Sequence, residues 1–164
     1  MIAVRLMGGL GNQMFQYAAA RQLANNVGTD VVFDFLFFEN LNPEDTPRHY
    51  ELDCFNLEVP VLSASERPVE RDAAYYSGTK GRLKKFRDRV KGQNWTIYNE
   101  PHHNFDPKLL KLPDKTYLIG YWQTEKYFID SRDQILKDFS YRKEPNDKNK
   151  QLKSGCQLLE RFHL

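Results

Sequence analysis

The chain has 164 residues, with 24 lysines and arginines against 22 aspartates and glutamates, a formal net charge of +2 at pH 7. That length suits one compact domain with its own hydrophobic core, and the small net charge argues against a general nucleic-acid binder. The spacing of Cys54 and Cys156 fits neither a zinc module nor a disulfide scaffold, and no apolar run reaches the roughly 18 residues of a membrane span.

The first part of the chain has the pattern of an α/β unit. Residues 2–7 are mostly apolar and end at Gly8, as expected for a buried strand. Residues 14–24 combine alanine with straight-chain residues and predict a helix that stops near Gly28. Residues 31–33 then predict a second strand, parallel to the first with a right-handed crossover. We therefore expect an α/β fold with a Rossmann-like parallel sheet.

The later part of the chain predicts fewer regular elements. Four prolines break residues 40–70 into loops and short pieces. Residues 95–98 and 117–122 are rich in aromatic and β-branched residues and predict two more strands. A helix is predicted to begin at Thr124 or Glu125.

Residues 80–91 form a basic segment, with seven basic residues and one acidic residue. Leu83, Phe86 and Val90 recur at helical spacing there, which predicts an amphipathic helix. A solvated helix face explains this pattern most simply, and peripheral contact with an anionic membrane is the alternative. No secretory leader is visible, so we expect a cytoplasmic protein, with any such contact on the inner membrane face.

The glycine-rich turn at residues 8–13 is a candidate ligand site, because free N–H groups at a helix start favour anions and polar ligands. A dinucleotide fingerprint that begins at Gly9 and Gly11 would place Met14 at its third glycine position, where it is too bulky. Asp34, however, lies close to the position in the sequence where a ribose-binding acid would be expected. A nucleotide-binding module of the NAD type therefore stays open, whereas a Walker loop fails for want of Gly-Lys-Ser or Gly-Lys-Thr.

The same turn carries a resemblance to a known family. Residues 8–18, GGLGNQMFQYA, resemble the N-terminal signature of bacterial and animal α-1,2-fucosyltransferases. Three later segments resemble that family in the same order: RHYEL from Arg48, YNEP from Tyr98 and GYWQTEKYF from Gly120. Four ordered matches of this length are rarely produced by chance.

The resemblance implies a GT-B glycosyltransferase, in which two α/β domains face each other across a cleft. Such enzymes transfer L-fucose from GDP-fucose to the 2-hydroxyl of a galactoside, with inversion and without a metal or cofactor. Residues 1–141 would be the N-terminal, acceptor-side domain, and residues 142–164 a polar segment with a non-matching, disordered tail. The GDP-binding domain, with its His-x-Arg-Arg-Gly-Asp-Tyr signature, would be absent. On this interpretation the chain is a truncated portion that is inactive by itself.

The resemblance also implies site residues. In related fucosyltransferases the matching turn lies at the cleft, with its asparagine near the donor sugar or its phosphates. The predicted substrate or donor contacts are therefore Gly8, Gly9, Gly11, Asn12 and Gln13. Gln123 joins them because it follows a strand end, where α/β folds place ligand contacts. The alternative for Asn12 is that it only caps the helix.

An inverting transfer also needs a base that takes the proton of the acceptor hydroxyl. Asp34 is the first candidate because it follows the apolar residues of the second strand, and Glu51 and His49 are the others. Each of the three has a structural or solvated alternative role.

Two further features have simpler explanations. Tyr121 and Trp122 could stack on a sugar, although aromatic residues in a strand are more often part of the core. His102 and His103 suggest a metal, but no third ligand is spaced near them and a surface loop is expected. A non-catalytic carbohydrate-binding remnant remains an alternative to the enzyme.

Overall fold

The structure of the chain, a computed structural model, describes residues 1–40, 46–68 and 94–143. Four strands in these ranges pair into one parallel sheet of order β2-β1-β4-β3. The strands are β1 (Ile2–Arg5), β2 (Val31–Asp34), β3 (Thr96–Asn99) and β4 (Thr116–Ile119). The predicted α/β fold with a Rossmann-like parallel sheet is confirmed.

The first helix, α1 (Leu10–Val27), packs along one face of the sheet. It begins at Leu10 rather than at residue 14, because Gly9 takes an extended conformation as N-cap and the chain turns directly into the helix. It ends as predicted: Gly28 is left-handed, with φ +67°, and its N–H group bonds to the carbonyl oxygens of Ala24 and Asn25. The early start places residues 11–13, which were expected in a loop, in the first helical turn.

The main hydrophobic core lies between α1 and this face of the sheet. Its largest fully buried side chain is Trp122, so the core alternative for this residue is confirmed, whereas Tyr121 is half-buried. Other core members include Ile2, Val4, Leu6, Tyr17, Leu23, Phe33 and Leu118. The opposite face of the sheet carries a second, smaller cluster: Ala3, Val32, Leu62 and Tyr117.

The second strand stops at Asp34, because the Asp34 carboxylate accepts the N–H of Leu36 and turns the chain into a single helical turn, α2 (Leu36–Glu39). Two further short turns are 3-10 helices at Leu52–Cys54 and Leu109–Lys111.

The helix predicted from Thr124 or Glu125 is interrupted. Two 3-10 turns, Glu125–Tyr127 and Ile129–Ser131, precede the third helix, α3 (Arg132–Asp138). Phe128 lies between them with φ −144°, outside the helical region, and its side chain is buried in the core.

The predicted amphipathic helix at residues 80–91 and nearly all of the segment at 142–164 lie outside the described residues. Within the described ranges, the helices lack the combination of length and apolar character that crossing a membrane requires.

Three tyrosine hydroxyls join distant parts of the fold. Tyr17 donates to Asp138 at 2.6 Å, Tyr98 donates to Asp106 at 2.9 Å, and Tyr117 donates to Asp34. Burial, strengthened by the hydrogen bond to a carboxylate, raises the pKa of each phenol above its ordinary value.

These raised pKa values predict a loss of stability in alkali. The contribution of the three tyrosines to the free energy of unfolding is complete below pH ~10, the pKa of an unfolded tyrosine, and falls above it. The reason is that the unfolded chain releases phenolic protons that the folded chain retains. Urea denaturation across this pH range tests the effect. The free energy of unfolding of Tyr98→Phe is expected to fall less steeply with pH than that of the native chain. Equal slopes for the variant and the native chain would contradict it.

Candidate functional site

The segments that follow β1 and β4 form the candidate site, because these neighbouring parallel strands end at the same edge of the sheet. The buried side chain of Gln16 joins the two segments. Its Oε1 accepts the N–H of Met7 at 2.9 Å, and its Nε2 donates to the carbonyl oxygen of Gly120 at 3.0 Å. The two segments are therefore fixed relative to each other from inside the protein.

Asn12 and Gln123, the amide pair, meet across this edge. Gln123 Nε2 donates to Asn12 Oδ1 at 2.7 Å; Gln123 is exposed and Asn12 half-buried. In the described part of the chain, the other polar atom of each amide has no partner. Whichever way the two amides are turned, one N–H donor group and one oxygen acceptor remain available. No side chain caps α1, so the capping role considered for Asn12 is wrong.

The start of α1 is open beside the amide pair. Among the described residues, the N–H groups of Leu10, Gly11 and Asn12 have no acceptor, and the first turn contains no acidic side chain. Gly11 is exposed, and a β-carbon there would meet no atom within 4 Å. Gly8 has φ +71°, and a β-carbon on it would lie 2.5 Å from Asn12 Nδ2. The glycines thus leave the positive end of the helix accessible to a ligand.

Gln13 has a different environment from its neighbour Asn12. It is fully buried; its Nε2 donates to the carbonyl oxygens of Gly8 at 2.9 Å and His49 at 2.8 Å, and its Oε1 accepts the N–H of Glu51 at 2.9 Å. Both amide hydrogens are committed to the backbone. In this conformation Gln13 cannot donate to a ligand, and instead it fixes residues 49–51 against the glycine turn.

Charged side chains from residues 48–51 border Gly9. A β-carbon at Gly9 would lie 3.3 Å from Arg48 Nη1 and 3.8 Å from Glu51 Oε2. His49 Nε2 is 3.7 Å from Glu51 Oε1, and the Glu51 side chain is 28% exposed. Arg48 is exposed and forms no ion pair within the described ranges. One cation and one carboxylate therefore lie beside the open helix start.

Asp34 lies on the sheet face opposite α1 and is fully buried. Its Oδ1 accepts from Leu36 N–H at 3.0 Å and from Arg67 Nε at 2.8 Å. Its Oδ2 accepts from Tyr117 and lies 3.9 Å from Arg5 Nε. With both oxygens engaged, Asp34 is poorly placed to take a proton from an acceptor or to bind a ribose.

Glu100 is a site-forming residue that motif reasoning did not single out. Its carboxylate accepts the N–H groups of Tyr121 at 2.7 Å and Trp122 at 3.2 Å. The YNEP segment contains it, but the sequence offered no sign of this contact. Gln16 was missed as well.

The histidine pair lies away from these contacts. His102 and His103 are both exposed, and His102 Nδ1 is 3.1 Å from the carbonyl oxygen of Asn104. Among the described residues, no three histidine, cysteine, aspartate or glutamate side chains come together as a possible metal site.

Comparison with known proteins finds a partial relative. The chain is similar to the O-antigen biosynthesis glycosyltransferase WbnK of Escherichia coli, with 42% identity over 66 residues. These residues are 40% of this chain and 22% of that protein, so the match spans about a fifth of the relative's length. No protein-family model and no solved structure matches the chain. The relative's name specifies neither the sugar that is transferred nor the nucleotide donor.

Proposed function

We propose that the chain contributes the acceptor side of an inverting glycosyltransferase site, and that the sugar transferred is L-fucose, from GDP-fucose to the 2-hydroxyl of a galactoside. The partial likeness to an O-antigen glycosyltransferase supports sugar transfer, and the resemblance of residues 8–18 supports fucose as the sugar. The observation that carries the proposal is the amide pair beside the open start of α1.

The amide pair has the hydrogen-bonding capacity that a sugar requires. Each sugar hydroxyl both donates and accepts, and the pair retains one donor group and one acceptor after Gln123 has bonded to Asn12. The pair is uncharged, so it can hold a hydroxyl without ionising it. Its joining bond also fixes two flexible side chains before the ligand arrives, which lowers the entropy cost of binding.

Arg48 and the open N–H groups of α1 give the same site a preference for anions. The leaving group of the transfer is a nucleoside diphosphate, which keeps the electron pair of the broken sugar–oxygen bond. Positive groups stabilise the negative charge that develops on it. Exposed Arg48 and the start of α1 suit one end of that diphosphate.

Glu51 is better placed than Asp34 to act as the base. Its carboxylate is partly exposed and borders Gly9, whereas Asp34 is buried and fully engaged. His49, 3.7 Å from Glu51, can orient this carboxylate or share the proton.

Titration of the full chain with a galactoside, GDP-fucose and NADH tests the proposal. In NMR spectra, galactoside is expected to shift the amide resonances of Gly11, Asn12 and Gln123. NADH is expected to leave these three resonances unchanged. Shifts caused by NADH and by neither sugar ligand would favour the dinucleotide alternative instead. A protein that contains this chain and binds galactoside, yet releases no GDP from GDP-fucose, would be the carbohydrate-binding remnant.

Gly11→Ala separates ligand contact from folding. The new methyl group would enter open space at the helix start, and alanine favours a helix over glycine by up to ~1 kcal/mol, so stability is expected to hold or rise. Because the methyl group would occupy the place proposed for the ligand, galactoside affinity is expected to fall about tenfold. This loss is equivalent to that of one hydrogen bond. Urea denaturation and the titration above measure the two quantities.

Gly28→Ala is the matched control, because Gly28 also has no atom near its missing β-carbon but lies at the far end of α1 with φ +67°. It is expected to lower stability by ~1 kcal/mol and leave affinity unchanged. Equal affinities for the native chain and Gly11→Ala would contradict the placement of the ligand.

A further inference from the structure

The loop after β4 has a strained backbone at the residue before Gln123. Trp122 has φ +46°, in the left-handed region that large side chains rarely occupy. The N–H of Thr124 bonds back to the Trp122 carbonyl oxygen at 2.7 Å, which tightens the turn. Strained residues of this kind persist only where surrounding contacts determine them, and they cluster at functional sites.

Two contacts fix Trp122 in this conformation. Its indole ring is fully buried in the core. Its N–H, together with that of Tyr121, is held by the two carboxylate oxygens of Glu100. The backbone of Glu100 is itself fixed, because its N–H donates to the Ile119 carbonyl oxygen at 2.8 Å and so extends the pairing of β3 with β4.

Gly120 allows the carboxylate to approach so closely. A β-carbon on Gly120 would lie 2.5 Å from Glu100 Cβ and 2.9 Å from Glu100 Oε2. The Glu100 side chain therefore passes directly over the end of β4, in the space that a larger residue at position 120 would occupy.

We propose that Glu100 is a positioning residue for the ligand site: by holding Trp122 in its left-handed conformation, it sets the direction of Gln123 and so forms the amide pair. The identity of the ligand rests on the proposed function, but the positioning of Gln123 does not. A carboxylate suits this role because it only accepts hydrogen bonds, and both facing groups are donors. In Glu100→Gln the amide NH2 would face one backbone N–H, and that contact would be lost.

The test compares Glu100→Gln with Glu125→Gln, an identical chemical change at an exposed position in the next turn. Glu100→Gln is expected to speed amide hydrogen exchange at Tyr121 and Trp122 and to shift the side-chain NH2 resonances of Gln123. Galactoside affinity should fall about tenfold, as in Gln123→Ala. Glu125→Gln should leave all three readouts unchanged.

A double-mutant cycle distinguishes positioning from general damage. In a Gln123→Ala background, Glu100→Gln is expected to cause no further loss of affinity, because the group it positions is already absent. An additive loss would overturn the inference. If Glu100→Gln does not fold, Glu100→Asp, which keeps the charge but shortens the side chain, is carried through the same cycle.

The two proposals fail in different ways. A native chain that binds neither galactoside nor GDP-fucose refutes the proposed function, and the resonance measurements still decide the role of Glu100. Unchanged Gln123 side-chain resonances in Glu100→Gln would refute the positioning role, even if the native chain binds galactoside.

Discussion

Replacement of Asp34 by alanine is expected to lower the free energy of unfolding by about 3–5 kcal/mol, the usual cost of removing one partner from a buried ion pair. The carboxylate is fully buried and joins β1, β4 and a loop through Arg5, Tyr117 and Arg67. Its removal would leave the two partly buried guanidinium groups without this counter-ion and the buried Tyr117 hydroxyl without its acceptor. Urea denaturation of the purified chain measures the loss.

Asp133→Ala is the control for that experiment, because the Asp133 side chain is 93% exposed and its contact with Arg132 is 3.8 Å long. It should change stability by no more than ~0.5 kcal/mol. Asp34→Asn keeps the side-chain volume but removes the charge. Its loss of free energy of unfolding is expected to lie between those of Asp34→Ala and Asp133→Ala. A native-like unfolding curve for Asp34→Ala would contradict the structural role and return Asp34 to the list of candidate bases.

Gly120→Ala is expected to cost ~3 kcal/mol or more, at or beyond the usual upper range for overpacking. The added methyl group would lie 2.5 Å from Glu100 Cβ and 2.9 Å from Trp122 Cζ2. Trp122 is fully buried and the Glu100 backbone is paired, so neither neighbour can withdraw without moving a strand end. The same denaturation assay measures the effect. Gly11→Ala is the control, because a methyl group at position 11 would enter open space.

Ligand binding adds a second measurement to this prediction. Under the proposed function, Gly120→Ala should also weaken galactoside binding because the clash displaces Glu100, whereas Gly28→Ala should not. Stability equal to that of the native chain would show that the loop adapts to the methyl group and that the close approach is not required.

Apolar runs and residue propensities predicted the strands and the Gly28 stop, because these features depend on local sequence. The helix that connects the first two strands predicted their parallel pairing. The start of α1 was missed for a physical reason. Gly9 ends the loop by adopting extended φ and ψ values, and a glycine N-cap supplies no side-chain signal of the kind that serine or aspartate would give.

Two adjacent amides show what local chemistry could not decide. Asn12 and Gln13 have the same functional group, yet Gln13 is buried and Asn12 reaches the surface. Gln13, Gln16, Tyr17 and Ala20 recur at helical spacing and form a buried face of α1. Two glutamines in that face concealed the pattern, since their burial depends on backbone partners supplied by other segments.

Asp34 was the leading catalytic candidate for a similar reason. An acidic residue after an apolar strand has the same local appearance whether it faces a cleft or an arginine. The difference is made by Arg67 and Tyr117, which lie 33 and 83 residues away along the chain. Only the assembled sheet brings them together.

The members of the amide pair are separated by 111 positions in the sequence. A growing polypeptide that has left the ribosome only as far as β2 can form α1, but it has no second amide with which to complete the site. Closing so long a loop is among the slower steps of folding. Under the proposed function, ligand capture would consequently report that β4 has taken its place beside β1, and a bound sugar would selectively stabilise the chains that had finished assembling.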